Sequence, residues 1–298
     1  MQRRAYTFSH TIKASYVASI SQAIVNNFLP LLLVTFQRDF GIGLEQLALL
    51  VGFNFVVQLL VDFIASLTVD RIGYRPAIVA AHVFTSLGLL LLGILPGRMD
   101  TFQGLMIAVA IYAIGGGIVE VLVSPIVEAC PTENKAGAMS LLHSFYCWGH
   151  MGVVLLSTAY FLLFGVASWR WLAALWALVP AVNVYMFLHV PINTLPSADM
   201  APGRYKRLLS SPVFWLLFIL MICSGASEQG MAQWASAFAE MGLKVSKAVG
   251  DVLGPTFFAL MMGIARALHA KWSDRFNVQT AMIASSMLCI AAYLVAAF

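Results

Sequence analysis

The chain has 298 residues, of which 61% are hydrophobic and 10% charged, with a formal net charge of +4. Soluble domains carry roughly 25% charged residues, so a water-soluble fold could not hide this much apolar surface and lipid has to cover it. The basic residues lie at the edges of apolar stretches and form no basic face, which excludes a nucleic-acid partner.

Roughly 20 apolar residues at about 1.5 Å rise each cross the hydrocarbon core. Nine stretches of that kind follow one another: Thr11–Phe36, Leu44–Val69, Pro76–Pro96, Thr101–Ala129, Gly137–Val166, Trp169–Val190, Pro212–Met241, Ser246–Ala270 and Val278–Phe298. They read as helices, because an unpaired backbone group in hydrocarbon costs several kcal/mol and no alternating strand pattern is present. The first is too long for a signal-peptide core and has no small-residue cleavage site, so it is expected to stay in the protein. The fold class is therefore all-α integral membrane.

Polar residues inside a span are costly and mark its inward face. Span one carries Ser15, Ser19, Gln22 and Asn26, and span two Asn54, Gln58, Asp62 and Ser66, at steps of three or four. Such steps put side chains on one side of a helix. Span four offers Glu120, Ser124 and Glu128. Span five offers Ser140, His143, Cys147 and His150, with Tyr146 beside them. Span seven offers Ser224, Glu228 and Trp234. Spans three, six and nine are poorer, with His82 and Ser86, Asn183, and Ser285 and Ser286. Spans one, two, four, five, seven and eight are thus expected to line a cavity that the other three support from outside. Serines and threonines at these places also serve as interhelical glue. Carboxylates are expensive glue, which singles out Asp62, Glu120 and Glu228 as functional candidates.

The stretch Pro191–Ser211 holds Pro191, Pro196, Pro202, Gly203 and the cluster Arg204-Tyr205-Lys206-Arg207. It divides the chain into a six-span bundle over 1–190, a linker over 191–211 and three further spans over 212–298. With the N-terminus in the cytoplasm, twelve of the seventeen Lys and Arg residues fall on the cytoplasmic side, among them Arg3, Arg4, Arg71, Arg75, Lys135, Arg207 and Arg275. Arg38, Arg98, Arg170, Lys244 and Lys247 fall on the other side. This asymmetry satisfies the positive-inside rule and points to a multi-pass protein of the plasma (inner) membrane. Cys130, Cys147, Cys223 and Cys289 have no paired or metal-like spacing and read as packing residues. No metal and no cofactor is expected.

The loop between spans two and three reads Asp70-Arg71-Ile72-Gly73-Tyr74-Arg75, and its beginning returns as Asp274-Arg275-Phe276 after span eight. A membrane protein built from two copies of one unit is most often a carrier that rocks one copy against the other. Two copies would need about 400 residues, so nine of an expected twelve spans are present. The three missing ones are expected to follow Phe298. On that expectation the 298-residue chain alone should not transport. It should express poorly or dimerise through the uncovered face of Glu228 and Trp234.

On these residues the chain resembles the major facilitator superfamily, and within it the fucose-permease-like branch. The Asp70–Arg75 run matches the superfamily's signature loop. Gly115-Gly116-Gly117-Ile118-Val119-Glu120 with Ser124-Pro125, Asn26-Asn27, Leu141–Tyr146, and Ala226-Ser227-Glu228 with Gln233-Trp234 resemble the branch. The chain departs from it where Asn27-Phe28-Leu29-Pro30 lacks a carboxylate and where Ser124 stands before Pro125 in place of Asn. The resemblance implies a major-facilitator fold and alternating access. It also implies a gating loop (Asp70, Arg71, Gly73, Arg75, with Asp274 and Arg275) that locks one side of the carrier.

Gly73 permits a tight reversal, and Arg75 can meet carboxylates or helix C-terminal carbonyls. Glu120 and Asp62 are the proton-coupling candidates, since desolvation raises a carboxyl toward neutrality. Asp62 can instead serve as an ion-pair partner, and Glu120 as a permanently neutral hydrogen-bonded group. Gln22, Asn26, Asn54, Gln58, His143, Tyr146, His150, Glu228 and Trp234 are the substrate-cavity candidates; the two histidines serve equally well as packing residues.

The reading is a secondary carrier, monomeric when complete, that takes a small, polar, sugar-like solute with protons. A drug or metabolite efflux carrier of the same superfamily stays open as the alternative. A membrane-embedded enzyme finds no aspartate-rich metal motif, no His-Glu-x-x-His and no serine elbow.

Overall fold

The computed structural model describes residues 6–132, 135–194, 204–272 and 277–297. Among the described residues nine helices are long and apolar enough to cross a membrane: Phe8–Phe40, Leu44–Ile72, Tyr74–Gly97, Thr101–Glu128, Gly137–Phe164, Val166–His189, Pro212–Gly242, Lys247–Ala265 and Gln279–Ala296. They are spans one to nine below. Asp274 and Arg275 lie outside the described residues, as do Arg3, Arg4, Phe276 and the linker's Pro196, Pro202 and Gly203.

The chain forms two compact units, Met1–Leu260 and Met261–Phe298. The second unit contains the helix Val278–Ala297, whose Met287, Leu288 and Val295 are exposed apolar side chains. The rest of the description concerns the first unit.

Span two shows how sequence becomes a membrane helix. Leu59, Phe63, Ile64 and Leu67 are exposed, Leu59 by 68%, while Asn54 and Gln58 on the same helix are buried. The pattern inverts that of a soluble amphipathic helix: apolar side chains face the lipid and amides face protein, where Gln58 finds partners.

Span three packs on spans four and six, span two on span four, and span one on spans four, five and six. Glycines set these distances. A Cβ on Gly88 of span three would meet the backbone of Tyr112, and one on Gly115 would meet the Ala81 carbonyl and Thr85. Spans three and four therefore touch backbone to backbone, as small residues permit in membranes.

Buried polar bonds tie the outer spans in. His82 is fully buried; its Nδ1 lies 2.8 Å from the Ile78 carbonyl and its Nε2 2.8 Å from Asn183 Nδ2. Asn183 Nδ2 also donates to the Ala14 carbonyl at 3.0 Å, and Ser86 Oγ donates to the Ala177 carbonyl at 2.9 Å. His82, Ser86 and Asn183 thus bind spans three and six to each other and to span one.

Two spans are interrupted. Span one breaks at a 3-10 turn, Leu29–Leu32, where Pro30 cannot continue the hydrogen-bond ladder. It resumes as Leu33–Phe40 and stops at Gly41 with φ 66°. Span eight opens with the short helix Lys247–Asp251, passes through a π-helical turn at Val252–Thr256 containing Gly254 and Pro255, and continues as Phe257–Trp272. The π turn lies where Gly254 approaches Ala235 of span seven; a Cβ there would stand 3.0 Å from the Ala235 carbonyl carbon.

Candidate functional site

The polar stripes of spans one, two, four and five meet. Gln22 Nε2 donates to Gln58 Oε1 at 2.8 Å and to Glu120 Oε2 at 3.2 Å. Gln58 Nε2 donates to Asn26 Oδ1 at 2.9 Å, and Asn26 Nδ2 lies 3.4 Å from the Tyr146 hydroxyl. Five side chains from four spans thus form one chain of contacts, Glu120–Gln22–Gln58–Asn26–Tyr146. Span seven joins through Gln233, whose Nε2 donates to the Asn26 carbonyl at 2.9 Å.

The glycine run of span four makes room for this chain. A Cβ on Gly116 would stand 3.1 Å from Gln22 Oε1 and 3.3 Å from Gln58 Cδ. One on Gly117 would stand 2.9 Å from both Asp62 Oδ1 and the Gln58 carbonyl. Gln22 and Gln58 are buried, yet Glu120 at the end of the chain is exposed. Glu120 is an exposed residue and its amide partner a buried one, as expected of a group at the edge of a buried polar network. Among buried side-chain atoms, Gln22 Oε1, Asn54 Oδ1, Asp62 Oδ1 and His150 Nε2 have no hydrogen-bond partner. Asp62 Oδ1 faces Gly117, three residues before Glu120 on span four.

The remaining candidates are dispersed. His143 is exposed, and His150 is buried beside the ring of Phe258, 6.4 Å between centroids. Glu228 is half-buried, and Trp234 packs on the apolar core that contains Leu29, Phe36 and Trp169.

In the signature loop Gly73 has φ 94°, ψ 145°, a conformation that side chains resist, and its N–H caps the Val69 carbonyl at 2.7 Å. The next residues start span three at once. Arg75 then reaches the last turn of span six: Nη1 donates to the carbonyls of Phe187 at 2.7 Å and Leu188 at 2.9 Å, and Nη2 to that of Val190 at 2.8 Å. These carbonyls have no partner within their own helix, and a guanidinium satisfies them together with the helix dipole. Asp70 and Arg71 are exposed.

A second charged cluster had no place among the sequence candidates. Asp251 is 0% exposed and accepts from Thr158 Oγ1 at 3.1 Å and from Ser236 Oγ. Lys247, one turn earlier, lies 3.2 Å from Asp251 Oδ2, donates to the Leu31 carbonyl, and stands over the Phe161 ring at 5.6 Å from its centroid. In the sequence Lys247 counts only as a loop charge at the edge of a span. The Lys-x-x-x-Asp spacing, which puts both groups on one helix face, was the available signal.

A family model described as Major Facilitator Superfamily matches residues 15–298. A search of curated proteins gave no match. Among solved structures, a D-xylose-proton symporter is similar at 13% identity and a TM-score of 0.69, over 91% of this chain and 69% of that one. A bacterial homolog of the human lysosomal transporter Spinster, inward-facing and unoccupied, is similar at 15% identity and a TM-score of 0.65, over 91% and 64%. The inward-open xylose transporter XylE from E. coli is similar at 14% identity and a TM-score of 0.59, over 91% and 69%. The chain thus spans about two thirds of the length of these transporters, whose likeness concerns the fold. With nine membrane-spanning helices among the described residues, that fold, and a family match over nearly its whole length, the chain belongs to the Major Facilitator Superfamily of membrane transporters.

Proposed function

We propose that this chain is the larger part or the whole of a secondary carrier that moves a small polar solute, sugar-like in chemistry, by alternating access coupled to protons. The observation that carries this reading is the contact chain from Glu120 to Tyr146, in which the exposed residue Glu120 is held by one hydrogen bond from the Gln22 amide beside a glycine run. Amides and a phenol offer donors and acceptors to hydroxyl groups. Among the described residues of this chain of contacts no basic side chain neutralises Glu120, which leaves a proton as its natural counter-charge. Asp62, which faces Gly117 on the same stretch of span four, is the second coupling candidate. Asn54, His143, His150, Glu228 and Trp234 stand outside this contact chain and are the further substrate-cavity candidates. The D-xylose-proton symporter and the peptide transporters among the structural neighbours are carriers of small polar solutes, and the resemblance to the fucose-permease-like branch points the same way.

The carrier is organised as a six-span bundle over 1–190, a cytoplasmic linker over 191–211 and a second bundle from residue 212. It sits as a monomer in the plasma (inner) membrane with a cytoplasmic N-terminus. Asp70, Arg71, Gly73 and Arg75, with Asp274 and Arg275, form its gating loop. Efflux of a drug or metabolite is the second reading; the exposed Glu120 would then meet a cationic solute.

Uptake of a panel of radiolabelled monosaccharides by cells expressing the complete carrier, of which this chain is the larger part or the whole, with and without a protonophore, tests the proposal. Glu120→Gln is expected to abolish accumulation against a gradient while leaving solute exchange. Accumulation retained by E120Q would refute coupling at this residue.

A further inference from the structure

Resting on that reading of alternating access, we infer that Lys247 and Asp251 form a latch that closes the end of the cavity away from the signature loop, built so that opening never strips a buried charge. Span one starts at Phe8 and breaks at Leu29–Leu32, so Leu31 lies at the end opposite Gly73. At that end four spans converge on one carboxylate and one ammonium: Leu31 from span one, Thr158 and Phe161 from span five, Ser236 from span seven, and Lys247 with Asp251 from span eight. The break at Pro30 interrupts the regular ladder next to the Leu31 carbonyl that Lys247 takes.

The bonds divide unequally between the two sides of the proposed carrier. Lys247 to Asp251 and Ser236 to Asp251 lie within spans seven and eight. Lys247 to the Leu31 carbonyl and Thr158 to Asp251 cross to spans one and five. The partners that Lys247 and Asp251 themselves take across the divide, the Leu31 carbonyl, the Thr158 hydroxyl and the Phe161 ring, are uncharged; the charges that face each other across it are Glu240 of span seven and Arg38 of span one, outside the ion pair. Separating the sides therefore breaks hydrogen bonds to a carbonyl and a hydroxyl, while the ion pair stays whole on one side. Splitting a buried ion pair would instead leave a bare charge and be far more costly. The crossing bonds are charge-assisted and stronger than neutral ones, so they hold the closed end without making it permanent. The π-helical turn that follows at Val252–Thr256 gives span eight a deformable segment directly after the latch.

Spin labels at Gly43, between spans one and two, and Leu243, after span seven, both exposed, report the width of this end. The measurement uses the 298-residue chain in lipid nanodiscs with its four cysteines replaced by serine. Pulsed dipolar spectroscopy is expected to give one short distance in this background. Thr158→Val removes a crossing bond and should raise a longer-distance population about tenfold, equivalent to about 1.4 kcal/mol. Ser236→Ala removes a bond within one side and should leave the distribution unchanged. The exchanged pair K247D/D251K keeps an ion pair, and the hydroxyls of Thr158 and Ser236 can accept as well as donate. It turns a carboxylate toward the Leu31 carbonyl, so it should open the end at least as far as Thr158→Val.

A purely structural ion pair makes the opposite forecast, with the exchanged pair restoring the short distance. That result, or equal effects of Thr158→Val and Ser236→Ala, overturns the latch. The distance readout needs no solute, so failure of uptake by the complete carrier would count against the transport reading alone.

Discussion

Two buried polar regions of this molecule solve the same problem in opposite ways. The Lys247–Asp251 junction carries its own counter-ion one helical turn away, and its carboxylate is sealed from solvent. The Glu120 network has amides and a phenol but no cation, and Glu120 is an exposed residue. A charge neutralised in place is fit for holding helices together. A charge left without a partner must take one from solution, and that is the property a coupled carrier needs. Position in the sequence does not distinguish the two carboxylates; their neighbours do.

Breaking the compensated region is expected to produce the largest effect. Lys247→Met leaves Asp251 buried and unpaired and should cost about 3–5 kcal/mol of stability. The double variant K247M/D251N should recover most of it. Thermal unfolding in detergent of the two variants side by side checks both, and an unrecovered double variant would mean that the ion pair is not what holds this junction.

The glycine wall under the uncompensated region comes next. Gly117→Ala drives a methyl group against Asp62 Oδ1 and the Gln58 carbonyl, each 2.9 Å from the new atom. Overpacking of this kind costs about 1–3 kcal/mol. Gly152 has nothing within 4 Å of its Cβ position, so Gly152→Ala should lie within about 0.5 kcal/mol of the parent. The difference in melting temperature between the two alanine variants is the measurement.

Gln22→Leu removes the donor shared by Gln58 and Glu120. It strands Gln58 Oε1 in a buried place and should cost about 1–2 kcal/mol. Proton-driven uptake should fall as well, because Glu120 loses the bond that orients it. The smallest stability change is expected for Glu120→Gln, about 0.5 kcal/mol, since the exposed carboxylate supports little structure. Its loss of accumulation would then be an effect on function alone. A large drop in melting temperature for E120Q would erase the contrast between the two regions.

Much of this was legible in the sequence. The nine spans and the inward face of spans one and two follow from apolar length and from polar steps of three and four, because lipid forces unpaired polar groups inward. Gly73 was legible too, since few other residues adopt its backbone angles, whereas for Arg75 the sequence left carboxylates and helix-end carbonyls both open and named no partner helix. The bond pairing Gln22 with Glu120 was not, because periodicity assigns residues to a face and leaves open which atoms on facing helices meet. Lys247 stayed hidden for a different reason. A lysine at a span edge normally snorkels into the headgroups, and only the folded approach of span one's broken segment offers it a carbonyl inside. The π turn at Val252–Thr256 has no dependable sequence mark beyond Gly254 and Pro255.

The grip of Arg75 on span six has a consequence for how this junction responds to acidity. All three of its acceptors are main-chain carbonyls, which do not gain or lose protons in any physiological range. A clamp made with a carboxylate would weaken as the surrounding medium acidified, and the frame would loosen just when the proton supply rose. With carbonyl partners the first six spans keep the same footing on either side of an acid membrane. The clamp between spans three and six is thus indifferent to acidity, whatever groups titrate elsewhere in the chain.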